Sequence, residues 1–143
     1  MAIIGGAGNP VGGSFTGPAE ALEVIGDHAY AYSGVHQGAT SAYTMFNFTS
    51  GNYYFVGEIT VSGAIDDNSP GVGFTSVFTI SMNGTQIMFL KTDTDQEDMP
   101  TALVVPILIP PYTVFELDGI DNGATANRET SASIVGKIHR TRD

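Results

Sequence analysis

Few side chains in this sequence have the types and spacing that chemistry requires. An enzyme site needs a nucleophile beside a base, a cluster of metal ligands or a pair of tuned carboxylates. The three histidines, His28, His36 and His139, form no His-x-Asp or His-x-Glu pair. The sequence also lacks the Gly-x-Ser-x-Gly, Gly-x-x-x-x-Gly-Lys and His-Glu-x-x-His patterns. We therefore predict that the protein is not an enzyme and that it binds no metal or cofactor.

An acidic run at residues 93–98, with the sequence DTDQED, gathers carboxylates of the kind that hard cations bind. Its spacing does not fit an EF-hand loop, because Asp98 occupies the sixth position, where that loop requires glycine. Residues 66–67 and 118–121 are weaker versions of the same feature. We interpret the run as a solvated acidic loop.

Aromatic side chains offer a second kind of chemistry, stacking on ligands and filling interfaces. The tyrosines are concentrated in the first part of the chain, at Tyr30, Tyr32, Tyr43, Tyr53 and Tyr54. Tyrosines on a β face can stack on sugars or fill protein interfaces, and they are also ordinary strand residues. We favour strand packing, with a ligand platform as the alternative.

The charge distribution makes nucleic acid an unfavourable partner. The net charge is -10, and four of the five basic residues, Arg128, Lys137, Arg140 and Arg142, lie near the C-terminus. The long acidic part before them would repel a phosphate backbone. The basic run at residues 137–142 either contacts an acidic neighbour or is a solvated tail.

Composition gives further expectations about the environment of the protein. Cysteine is absent, which excludes disulfides and thiolate metal sites. The first six residues lack the positive charge of a secretory signal, and no apolar run approaches the ~20 residues of a membrane span. We expect a soluble protein made in the cytoplasm, with no membrane partner. Charged residues are 14% of the chain, below the roughly 25% of an ordinary domain, which suits a subunit that hides surface in an assembly.

The elements that must position these residues are β-strands. From residue 20 onward apolar residues recur with period two, which predicts strands with one buried face. Turn signals rich in Gly, Pro, Asn and Asp separate the runs. The pattern predicts about eight strands and no helix, with the strands at residues 20–25, 28–33, 41–49, 53–62, 73–82, 86–91, 102–109 and 112–120, and with residues 131–139 as a ninth.

The alternation also predicts which side chains form the core. In the fifth run Phe78 lies on the inward face. In the third run Phe46 lies on one face and Met45 on the opposite one. Asn83 and Gly84 stand between two apolar runs and supply the positive φ angles of a tight type I′ hairpin.

Many short strands joined by Gly and Pro turns predict an all-β sandwich or barrel. Eight or so strands favour a jelly-roll-like sandwich over an immunoglobulin-like one, which needs only about 100 residues and often has a core Trp, absent from this chain. Residues 103–109 are apolar on both faces, so this strand is either covered on both sides or lies at a subunit contact, and Pro106 favours an edge position. Leu103, Val105 and Ile107 are therefore candidate partner-binding residues.

The first 18 residues form a separate segment by composition. They are rich in glycine, and the isolated apolar residues Ile3, Ile4, Val11 and Phe15 stand between the glycines. Such a segment is either a disordered leader or an extended arm that becomes ordered on a neighbouring subunit. We favour the arm and take these four apolar residues as partner-binding. The predicted organisation is an arm at residues 1–18 and a β-sandwich domain at residues 19–143.

Four segments carry a resemblance to a known class of proteins. They are GGAGNPVGG at residues 5–13, GDHAYAYSG at 26–34, FTSGNYY at 48–54 and IPPYT at 109–113. With them the chain resembles the small jelly-roll proteins of tailed bacteriophages, particularly marine phages, that decorate or cement the capsid. The resemblance spans most of the chain, and its motifs are structural rather than catalytic.

The resemblance implies a structural virion protein that binds the capsid shell protein and its own copies, commonly as a homotrimer. It places the protein on the outer surface of the capsid after synthesis in the host cytoplasm. An acidic chain fits that side of a shell, because it would be repelled by the genome. The alternative is a receptor- or carbohydrate-binding module of a virion, with tyrosines and acidic loops as its site. An enzyme on a double-stranded β-helix would need a metal triad that the histidines do not supply.

Overall fold

A computed structural model of the protein describes residues 21–65, 74–94, 101–122 and 128–140. The candidate arm residues Ile3, Ile4, Val11 and Phe15 lie outside them. Nine strands and no helix are found in the described ranges, and the ninth strand is the one expected at residues 131–139. The strands are β1 (Glu23–Ile25), β2 (His28–Gln37), β3 (Tyr43–Thr49), β4 (Tyr53–Ile65), β5 (Phe74–Met82), β6 (Thr85–Thr94), β7 (Thr101–Ile109), β8 (Val114–Asp121) and β9 (Arg128–Arg140).

The strands form two antiparallel sheets packed as a sandwich. The five-stranded sheet has the order β1-β2-β9-β4-β7, and the four-stranded sheet has the order β3-β8-β5-β6. The chain changes sheet at every connection except β1 to β2 and β5 to β6. From β2 onward this order is that of a jelly roll, so the predicted fold class is confirmed.

The inward faces of both sheets supply a core of large apolar side chains. Phe78, predicted to be core, is completely buried, and so are Phe46, Phe55 and Phe115. Fully burying one such side chain contributes about 1.5–3 kcal/mol relative to leaving it in water. The apolar residues that alternate along the sequence are therefore largely the ones that form this core.

The third strand departs from the predicted alternation. Thr44 pairs with Asp118 and Phe46 with Leu117, so Met45 is an extra residue in β3, a β-bulge. Because a bulge puts two consecutive side chains on one face, Met45 and Phe46 are both fully buried. The prediction that Met45 lies opposite Phe46 is therefore wrong.

Two facing glycines make room for a core ring. Gly57 in β4 pairs with Gly136 in β9, and the ring of Phe55 lies over both. A methyl group added at Gly136 would lie 2.8 Å from the Cζ atom of Phe55 and 2.5 Å from the Cα atom of Gly57, and closer still to the carbonyl oxygen of Val56. Glycine is needed at both positions because any side chain would collide with the opposite backbone and with the Phe55 ring. This requirement outweighs the loss of strand stability that glycine usually causes.

The β5–β6 hairpin has the predicted turn. Asn83 and Gly84 have φ angles of 52° and 81°, the positive values that a type I′ turn needs. The Asn83 side chain also leaves the hairpin, because the backbone N–H of Val114 donates to its Oδ1 atom at 2.9 Å. The turn is therefore tied to the beginning of β8.

Strand β7 lies at an edge of the five-stranded sheet, where Pro106 breaks no central ladder, as predicted. Leu103, Val105 and Ile107 lie on its inward face, with Ile107 buried and Leu103 packed against the core. The selection of these three as contact residues is thus corrected. The alternate residues of β7 are the exposed ones, including Val104 and Leu108.

Candidate functional site

The three histidines do not converge on one site: His28 lies opposite Lys137, two residues from His139 on the neighbouring strand, whereas His36 is at the far end of β2. His28 begins β2 and is exposed, His139 is near the end of β9 and is exposed, and His36 stacks on Tyr43 with 5.5 Å between ring centroids. Eight residues of extended strand separate His28 from His36, a span of about 26 Å. Among the described side chains no group of three His, Cys, Asp or Glu is placed to hold a metal ion.

The acidic run at residues 93–98 is only partly described. Asp93 is exposed and accepts a hydrogen bond from the Thr75 hydroxyl at 3.3 Å, and residues 95–98 lie outside the described ranges.

A buried polar cluster connects the two sheets beside β3. The Tyr43 hydroxyl donates to Asp121 Oδ1 at 3.2 Å and lies 2.7 Å from the Thr130 hydroxyl. The other oxygen of Asp121 accepts from the backbone N–H of Ala39 at 2.9 Å. Burial raises the pKa of Tyr43 well above its usual value, and the neighbouring Asp121 carboxylate raises it further. Tyr43 is therefore a neutral phenol whose hydrogen bonds connect β3, β8 and β9, which is a structural role.

Two carboxyl groups lie side by side on the outward face of the four-stranded sheet. The hydrogen bond with Asp118 raises the pKa of Glu116, and the like charge of Asp118 raises it too. Asp118 also borders a hollow of about 180 Å³ that is lined by Thr79, Gln86 and Ile120 among others. Two carboxyl groups this close can share a proton.

The outward face of the five-stranded sheet carries an apolar patch. Val56, Val104, Leu108 and Val135 are each between 44% and 55% exposed, and Val56 pairs with Leu108 across β4 and β7. In the next row Pro106 and Val135 lie on either side of Glu58, so one exposed carboxylate stands among these apolar side chains. We call Val56, Val104, Pro106, Leu108 and Val135 the apolar patch. Clustered exposed apolar side chains of this kind mark interaction sites.

At the other end of the same face a β-bulge forms a hollow. In β2 the pairing with β9 shifts between Tyr32, opposite Ser133, and Val35, opposite Ser131. The bulged residues are Ser33 and Gly34, and Gly34 has a φ of 71°, a conformation that favours glycine. The hollow has a volume of about 210 Å³. We call it the hydroxyl hollow, after the side chains of Tyr32, Thr60, Ser62, Ser131 and Ser133 that line it.

Sequence reasoning found Tyr32 as a possible ligand platform and found apolar surface on β7, but it missed the hydroxyl hollow. The hydroxyl residues of the hollow come from β4 and β9, which are about 70 positions apart in the sequence. The available signal was Ser33-Gly34, a glycine within a strand pattern, which indicates a bulge.

Comparisons with known proteins add no family. No protein family model matches the chain, and no curated protein matches it. Among solved structures the chain is similar to the crystal structure of dimeric latent PorU from Porphyromonas gingivalis, at 13% identity with a TM-score of 0.44. That match covers 90% of this chain and 14% of the PorU chain. In the described part of the chain no helix is long and apolar enough to cross a membrane.

Proposed function

We propose that the protein is a structural virion component that decorates or cements a phage capsid, acting by binding its own copies and the shell protein. The observation that supports this best is the apolar patch, because a free monomer would keep it in water. Jelly rolls occur in viral capsid proteins and in lectins, so the fold is compatible with the proposal without deciding it.

The occupant of the apolar patch in this proposal is a second copy of the chain. The net charge of -10 makes two copies repel each other over most approaches. The patch is an exception, since Glu58 lies within it between Pro106 and Val135, and Lys137 lies beside Val56 at its border, so this face carries a charge of each sign. Two copies therefore meet less repulsion at this face.

A closed trimer requires the patch to meet a different surface of the next copy. Ile87 and Phe89 supply an apolar surface of that kind on β6, where they are 47% and 69% exposed. In this arrangement Leu108→Ser and Phe89→Ser each remove one half of the same interface. A symmetric dimer through the patch would instead be insensitive to Phe89→Ser.

Mass photometry of the purified full chain tests this arrangement. The chain should form trimers, and Leu108→Ser and Phe89→Ser should both shift it to monomers. Ile25→Ser is the matched control, because Ile25 is an equally exposed apolar residue, at 66%, on β1. It should leave the trimer intact. A monomeric chain at all concentrations would contradict the proposed assembly.

Attachment to the shell is assigned to residues 1–18, with Ile3, Ile4, Val11 and Phe15 as the contact residues. Several arms on one oligomer would bind together, so weak single contacts suffice. Deleting residues 1–18 should leave the melting temperature nearly unchanged and strongly reduce incorporation into particles, measured by mass spectrometry of purified virions. A truncated chain that still occupies particles fully would exclude the arm, and absence of the intact chain from all purified particles would refute the proposed function.

A further inference from the structure

We propose that the hydroxyl hollow binds a single ring of a neutral saccharide. This inference does not depend on the assembly role, since none of the residues that line the hollow belongs to the apolar patch, which it adjoins where Thr60 pairs with Val104. Three features support it: the way the hollow is built, the chemistry of its lining and the aromatic ring at its border.

The hollow is held open by hydrogen bonds within the bulge. The Ser33 hydroxyl is buried, donates to the carbonyl oxygen of Gly34 at 2.7 Å and accepts from the backbone N–H of Ala132 at 2.9 Å. The Ser33 carbonyl oxygen lies 3.1 Å from Nε2 of His36. These contacts fix the shape of the site before any ligand arrives, and bulges are frequent next to binding and active sites.

The lining selects against charged ligands. Its accessible surface is mostly apolar, its polar groups are the hydroxyls of Thr60, Ser62, Ser131 and Ser133 together with Tyr32, and no side chain that lines it is charged at neutral pH. The Ser62 and Ser131 hydroxyls lie 2.8 Å apart, so one donates to the other and the pair still offers both a donor and acceptor positions. A sugar ring matches this lining, because its C–H groups can contact the apolar surface and its hydroxyls can both donate to and accept from the side-chain hydroxyls.

Tyr32 supplies an apolar ring at the border of the hydroxyl hollow. It is 42% exposed, and its ring is supported by Tyr30 at 5.4 Å between centroids, tilted by 38°. An aromatic ring that combines an apolar body with a polar end suits a ligand with one C–H face and a rim of hydroxyls. A pyranose ring has that form.

The size of the hollow limits the ligand and its affinity. Its volume of about 210 Å³ is below the roughly 300–1,000 Å³ of sites for drug-sized molecules. One sugar ring in such an open site is expected to bind with a Kd on the order of 1 mM. Several hollows on one oligomer would raise the effective affinity for a polysaccharide.

The test uses the full chain, ¹⁵N-labelled, with NMR titration by the methyl glycosides of glucose, galactose, mannose and N-acetylglucosamine. At least one of them should shift the amide signals of residues around the hydroxyl hollow with saturation in the millimolar range. Tyr32→Ala should weaken binding at least tenfold, and Tyr32→Phe should retain most of it. Tyr54→Ala is the matched control, because Tyr54 is 41% exposed on β4 outside the hollow. It should leave the affinity unchanged.

Three results would overturn the proposal: no glycoside shifts these signals, the shifts map to another surface, or folded Tyr32→Ala binds as well as the parent. If Tyr32→Ala does not fold, Thr60→Val answers the same question, since it removes a lining hydroxyl and keeps the side-chain shape. Tyr32→Ala should form trimers and enter particles normally, so failure of the saccharide site and failure of the assembly proposal give different outcomes.

Discussion

Gly136→Ala is the substitution for which the structure gives the clearest expectation. The added methyl group would contact the carbonyl oxygen of Val56 and the Cα atom of Gly57, which are backbone atoms of a central strand, and also the ring of Phe55. Backbone atoms in the middle of a sheet cannot move aside without disturbing the ladder between β4 and β9. Overpacking of this kind costs typically 1–3 kcal/mol, and the backbone contacts place this case in the upper part of that range.

The free energy of unfolding can be measured by urea titration, with thermal melting as a second observable. For a chain of this length 1 kcal/mol corresponds to about 3–4 °C in Tm, so the melting temperature should fall by about 6–12 °C. Combining Gly136→Ala with Phe55→Leu distinguishes a clash with the Phe55 ring from a clash with the backbone of β4. If the ring carries the clash, the cost of Gly136→Ala falls in the Phe55→Leu background; if the backbone carries it, the cost persists. A stability within 0.5 kcal/mol of the parent would refute the close approach of β4 and β9 at this pair.

The other predictions concern one core side chain and two polar contacts. Phe78→Ala should lower the free energy of unfolding by about 3–5 kcal/mol in urea titration, because the ring is completely buried and leaves a cavity. Tyr43→Phe should cost about 1–3 kcal/mol by the same measurement, since it removes the hydroxyl that Asp121 accepts from. Glu116 has a pKa raised by its contact with Asp118, so its stabilising contribution is present below the ordinary pKa of Glu and is lost as the pH rises through the raised value. Glu116→Gln should remove that loss, seen as a higher Tm at neutral pH that converges with the parent in acid.

Matched variants make these outcomes decisive. Ile25→Ala and Tyr112→Phe change side chains that are 66% and 70% exposed and lie outside the proposed interface, and each should stay within about 0.5 kcal/mol of the parent. Glu58→Gln removes an exposed carboxylate from the other sheet and should not reproduce the pH dependence of Glu116→Gln. Core and polar-contact effects no larger than those of the controls would contradict the assigned contacts.

Much of the fold could be predicted because one face of almost every strand is buried. A side chain on the inward face, such as Phe78, must be apolar whichever sheet its strand joins. Inward-facing residues recur at every second position, so the alternation of apolar residues in the sequence identifies the buried face. The turn at Asn83 and Gly84 was predictable for a local reason, the positive φ angles at both residues. Pro106 was predictable as an edge residue because it cannot donate to a ladder.

The remaining features depend on pairing between distant strands, which one sequence does not record. Met45 is buried because β3 gains a residue relative to β8, and the alternation rule assumes equal counts. Residues 103–109 are apolar on both faces, so their pattern could not indicate which face is inward. The contact between Ser62 and Ser131 depends on the register of β4 against β9, which the sequence leaves open.

The proposed surfaces share one strand, and that strand explains how they can coexist. The outward residues of β4 run from Tyr54 and Val56 through Glu58 to Thr60 and Ser62, so the strand changes from apolar to hydroxyl-bearing along its length. The apolar half lies opposite Leu108 and Pro106 of β7 and is suited to another protein surface. The hydroxyl half lies opposite β9 where the bulge of β2 makes the face concave. Exposed apolar surface gains by excluding water, whereas the hydroxyl groups of the hollow must exchange water for ligand hydroxyls. Because these requirements differ, a change at one end of β4 can alter one activity without the other, and loss of both from one outward substitution would indicate that the strand itself had shifted.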